Sequence, residues 1–84
     1  MDDESAGKPV KLIVVMAWDA NEDGDLVPAY EQEQHSEERA IRTAKALAAQ
    51  HTAVIAWVRD AFPQIGEYGE PTELFRHGPV PDME

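Results

Sequence analysis

Two short stretches of the chain are apolar at almost every position. In Val10–Trp18 one alternating set is Leu12, Val14, Met16 and Trp18, and the other is Lys11, Ile13, Val15 and Ala17. In Thr52–Arg59 the two sets are Val54, Ala56, Val58 and Ala53, Ile55, Trp57. Successive side chains of a strand point to opposite faces, so a strand apolar on both faces is covered on both sides. Both stretches therefore read as central strands. Leu26–Gln32, second in chain order, also reads as a strand, and its Pro28 has no N–H for a ladder, which sends it to a sheet edge. Asp19–Asp25, with Asn21 and Gly24, is turn chemistry that closes a hairpin between the first two strands.

Beyond the hairpin the period changes. Ala40, Ile41, Ala44, Leu47 and Ala48 recur at helical spacing and form one apolar stripe. Ser36 is placed to cap that helix, because its side-chain oxygen can accept an orphan backbone N–H. Glu37 and Glu38 suit the positive end of the helix dipole, and Glu38 stands four residues before Arg42 in the favourable order. The helix should end near Gln50 or His51, where the β-branched run begins. Asp60–Pro71 holds Pro63, Gly66, Gly69 and Pro71 and reads as a loop, and Pro71–His77 as a short last strand.

The element order is β-β-α-β-β. A hairpin followed by a right-handed helical crossover sets strand three antiparallel to strand one. The predicted fold is a two-layer α+β domain: a four-stranded antiparallel sheet of order 2-1-3-4 with one helix packed on one face. Residues 1–8 read as a disordered acidic arm, 9–77 as a single domain and 78–84 as a flexible tail. One helix covers one face only, and a monomer seldom leaves a large apolar face open. A second copy related by two-fold symmetry is the simplest cover, and the loop carrying Phe62 and Ile65 is the alternative within the chain.

Charge adds a second constraint. The 84 residues carry a formal net charge of −10. From Leu12 to Glu38 there is no Lys or Arg, while Asp19, Glu22, Asp23, Asp25, Glu31, Glu33, Glu37 and Glu38 fall there. Such a surface repels phosphate backbones, which argues against nucleic acid and leaves a basic protein or a cation as possible partners. There is no cysteine, which excludes disulfides, thiolate metal sites and thiol catalysis. No basic segment precedes an apolar one at the start, and no apolar run is long enough to span a bilayer, so the expected location is the cytoplasm, away from membranes.

The sharpest local motif is Asp19-Ala20-Asn21-Glu22-Asp23-Gly24-Asp25-Leu26. It matches the first eight positions of an EF-hand calcium loop, in which Asp19, Asn21 and Asp23 would supply hard oxygens and Asp25 a backbone carbonyl. The match then breaks: the twelfth position is Tyr30 rather than a bidentate Glu, Pro28 lies inside the loop, and a strand precedes it in place of a helix. A hairpin turn needs the same residues. His35, His51 and His77 show no metal-ligand spacing, and no nucleophile elbow or phosphate loop is present. No catalytic residue and no cofactor is assigned.

Two segments carry a resemblance. Ser36-Glu37-Glu38-Arg39-Ala40-Ile41-Arg42 running on to Val54-Ile55-Ala56-Trp57 is one, and Gly66-Glu67-Tyr68-Gly69-Glu70-Pro71 through Val80-Pro81-Asp82 is the other. Together they resemble a group of small bacterial proteins of unknown function. The resemblance implies a bacterial cytosolic protein and brings no catalytic residue, cofactor or substrate. The functional expectation is a non-enzymatic homodimeric interaction module. The alternatives are a weak calcium binder through residues 19–25 and a small-ligand enzyme with its site at the dimer interface.

Overall fold

The computed structural model describes residues 10–81. The arm read at residues 1–8 lies outside them, as do residues 82–84 of the tail. Two long strands, β1 (Val10–Ala20) and β3 (Ala53–Phe62), run antiparallel through the middle of one sheet. β2 (Leu26–Gln34) flanks β1, and helix α1 (Glu37–Ala48) connects β2 to β3. On the far side of β3 lie β4 (Glu67–Tyr68) and β5 (Thr72–His77), both antiparallel to it. The order is β2-β1-β3-β4, with β5 also on β3. This is the α+β arrangement that the sequence pattern predicts, with β5 as the expected fourth strand.

The doubly apolar strands are central because each has a neighbour on both sides. Pro28 stands in the edge strand and marks a bulge: Ala17 pairs with Tyr30 and Trp18 with Pro28, which leaves Ala29 as an extra residue. A bulge at an edge also hinders pairing with other chains.

The region expected as a loop is partly strand. β3 runs on through Asp60, Ala61 and Phe62, which pair with Val10 and Lys11 on one side and with β4 on the other. The chain turns over Pro63–Gly66 and returns. The returning strand breaks at Gly69–Pro71, where Pro71 lacks a ladder N–H, and the N–H of Gly69 still donates to the Asp60 carbonyl at 2.7 Å. The glycines and prolines mark a turn and a break in one long hairpin.

The helix packs on the face formed by Ile13, Val15, Ala17, Val54, Ala56 and Val58. Ala40 and Ala44 are buried against it, and Leu47 and Ala48 pack beside them. Alanine on the contact stripe lets the helix approach the sheet closely. Val15 and Val54 are the largest fully buried side chains, each contributing about 1.5–3 kcal/mol. Ser36 Oγ accepts from the Arg39 N–H at 3.1 Å, which is the predicted cap. The ion pair of Glu38 with Arg42 forms at 3.8 Å on the exposed side. No helix among the described residues is long and apolar enough to cross a membrane.

Candidate functional site

Two regions could carry function: the acidic hairpin and the sheet face away from the helix. In the hairpin, the Asn21 side-chain oxygen accepts from the N–H groups of Asp23 and Asp25, at 2.9 and 3.0 Å. The Asn21 N–H donates to the Asp25 carbonyl at 2.8 Å, and the Gly24 N–H to the Asn21 carbonyl at 3.0 Å. Gly24 has φ 87°, the left-handed conformation that glycine adopts most easily. These bonds describe a turn followed by a bulge, which sets the register of β1 and β2.

Asp19 belongs to a different contact. His51 Nδ1 lies 3.0 and 3.1 Å from its two carboxylate oxygens, and the Thr52 N–H donates to the same carboxylate at 3.4 Å. A carboxylate only accepts, so Nδ1 carries the hydrogen. The pair ties the end of β1 to the chain leaving α1. Three of the four calcium-loop candidates are thus engaged within the chain: the Asp19 carboxylate, the Asn21 side-chain oxygen and the Asp25 carbonyl. Asp23 and Asp25 are exposed. Among the described residues no three His, Asp or Glu side chains stand together as a metal site would require. His35 and His77 are exposed, before the helix cap and at the end of β5.

The helix-free face is built from the other alternate set. Leu12, Val14, Met16 and Trp18 of β1 stand beside Arg59, Trp57, Ile55 and Ala53 of β3, in register. Trp18, Ala53 and Ile55 are buried, with Met16, Leu26, Trp57 and Val80 packed around them. Val80, in the stretch read as a tail, reaches this face because the chain bends at Gly78 (φ 76°) close against Thr52. Ile65 of the other proposed cover is exposed.

Arg59 covers the upper part of the face. Its guanidinium carbon lies 5.6 Å from the ring centres of both Trp57 and Tyr68, and its Nε donates to the Gly69 carbonyl at 2.9 Å. Each cation–π contact contributes about 0.5–1 kcal/mol at such a site. The Trp57 Nε1 atom is buried without a hydrogen-bond partner. Arg76 Nε pairs with Glu73 at 2.9 Å at the β5 side. Leu12, Met16, Trp57, Leu26 and Val80 remain half-buried, and together they form the outer apolar surface.

Arg59 and Trp57, two residues apart on a strand, share a face, and the sequence shows that much. Tyr68, Val80 and the Asp19–His51 pair join their sites only through tertiary structure. A hollow of about 280 Å³ on the outer side of α1 is lined by Glu38, Ile41, Arg42 and Lys45 and lies against helix surface alone. Among the described residues no polar or charged side chain is buried. Comparison with protein-family models, with curated proteins and with solved structures found no match.

Proposed function

We propose that this chain is a non-enzymatic interaction module of the cytosol, and that its helix-free sheet face takes a second copy of itself. One observation carries the reading. The half-buried row of Leu12, Met16 and Trp57 lies on a face that no helix covers, flanked by Leu26 and Val80. The charge on that face supports it too. Glu31, Glu33 and Glu73 face Arg59 and Arg76 there, three acids against two bases, in a chain of net charge −10. Among the other described acids, Glu22, Asp23 and Asp25 lie on the hairpin turn and Glu37 and Glu38 at the helix start, away from the face. General acid–base catalysis asks for a carboxyl or imidazole held in a pocket; the described carboxylates are exposed or half-buried, and the half-buried Asp19–His51 pair ties β1 to the chain leaving α1.

The test is a concentration series of ¹⁵N–¹H correlation spectra. The reading predicts shifts that grow with protein concentration at Leu12, Met16, Trp57 and the Trp57 indole, and none along the outer side of α1. Concentration-independent spectra across the range would refute it.

A further inference from the structure

The charges on the helix-free face are arranged in rows. Glu31 of β2 pairs across to Met16 of β1, Met16 to Ile55 of β3, and Ile55 to Arg76 of β5. One row thus has an acid at one end, two apolar residues in the middle and an arginine at the other end. The next row is Glu33, Val14, Trp57 and Glu73. In the row beyond, Leu12 pairs with Arg59. Among the described residues, every base on this face therefore stands on the β3–β5 side, and the charged residues that β2 contributes are acids alone. Three strand spacings of about 4.8 Å separate Glu31 from Arg76, roughly 14 Å, which is too far for an ion pair within one chain.

A face that packs against itself by a two-fold axis in its own plane, with the strands of the two copies aligned, can be turned in two ways. An axis across the strands keeps β2 on the same side and lays its glutamates over the partner's β2 glutamates. An axis along the strands exchanges the two edges and keeps each row at its own level. It brings Glu31 over Arg76 of the other copy, and Met16 over Ile55. Resting on the dimer reading above, we propose that the second copy is related by the axis along the strands, with Glu31 of each protomer paired to the partner's Arg76.

Packed sheets lie about 10 Å apart with strands about 30° from parallel, a gap that a glutamate and an arginine side chain span together. Arg76 already gives its Nε–H to Glu73, and a guanidinium has five N–H donors, so four remain. The same turn brings Glu73 toward the partner's Glu33, and the bond from Arg76 offsets that acid. Both members of the new pair are exposed in the single chain. The arrangement gives the interface two identical charge pairs around an apolar centre, and it selects against the other orientation by like-charge contact.

The experiment uses two charge reversals, Glu31→Arg and Arg76→Glu, with dimerisation measured by sedimentation equilibrium alone and in equimolar mixture. Each variant alone should lose self-association by about tenfold or more in Kd, because both of its charge pairs become repulsive. The mixture should recover wild-type affinity, since a heterodimer of the two has one reversed pair and one native pair, both complementary. Recovery on mixing also shows that each variant folds. If the wild type dimerises and the variants dimerise equally well alone, or if mixing restores nothing between variants with native circular dichroism, the orientation is overturned and the dimer stands. If the wild type stays monomeric, the dimer reading itself has failed and the orientation falls with it.

Discussion

Gly78→Ala is the substitution whose consequence the structure defines most sharply. Gly78 has φ 76°, and a Cβ there would run into the Thr52 carbonyl oxygen and come within 3.2 Å of Ala53 Cα. Those are backbone atoms, and the Thr52 N–H is bonded to the Trp18 carbonyl at 3.0 Å, so β3 cannot easily give way. The left-handed backbone alone costs about 1–2 kcal/mol in alanine. The clash is relieved by lifting residues 78–80 off the sheet, which exposes Val80 and uncovers Trp18 and Ile55. Losing the part-burial of one valine costs about 1–2 kcal/mol more. The sum is about 2–4 kcal/mol. Gly24→Ala is the matched control, because Gly24 also has positive φ, at 87°, and no atom lies within 4 Å of its Cβ position. It should lose about 1–2 kcal/mol. Urea unfolding followed by tryptophan fluorescence reads both, and with m near 1 kcal/mol/M the two midpoints should differ by about 1–2 M. The native emission of the Gly78 variant should also shift to the red as Trp18 meets water. Equal midpoints for the two variants would refute the account of how the second face is covered.

Other perturbations test the remaining parts. Val15→Ala removes two methyl groups from a fully buried site between sheet and helix and should cost about 2–3 kcal/mol in the same urea assay. Ser36→Ala should cost about 1 kcal/mol, and Ser36→Asp should restore most of it, because aspartate caps the same N–H. Calcium titrated to about millimolar, the weak end for such loops, should leave the amide resonances of residues 19–26 in place, because the Asn21 oxygen and Asp19 are already engaged. Saturable shifts selective over magnesium would show that the turn opens to take the ion.

The sheet was legible in the sequence because strand position leaves a direct mark. Val10–Trp18 and the Ala53–Val58 run could be apolar on both faces only as central strands, and Pro28 could stand in a ladder only at an edge or a bulge. The helix was legible from its cap and its stripe. The second hairpin was not, because Asp60 and the Pro63–Gly69 breakers look like a loop when read locally. The strand persists there because Val10 and Lys11 of β1 offer partners about fifty residues back along the chain. The residues at 19–25 spell a turn and form one, but the partner of Asp19 leaves no mark in the sequence. His51 reaches it only because α1 returns the chain beside the end of β1. Likewise, Val80 reads as tail in the sequence, and the bend at Gly78 brings it onto the cluster of Trp18, Ala53 and Ile55. Local pattern thus revealed the elements, and the contacts that cover the second face depend on residues far apart in sequence.

Sedimentation velocity of the wild-type chain over a hundredfold range of concentration tests the central claim most directly. The account predicts a reversible shift from the mass of the 84-residue chain to twice that mass, abolished by Met16→Glu at the middle of the helix-free face. A single monomer mass at every concentration would contradict it.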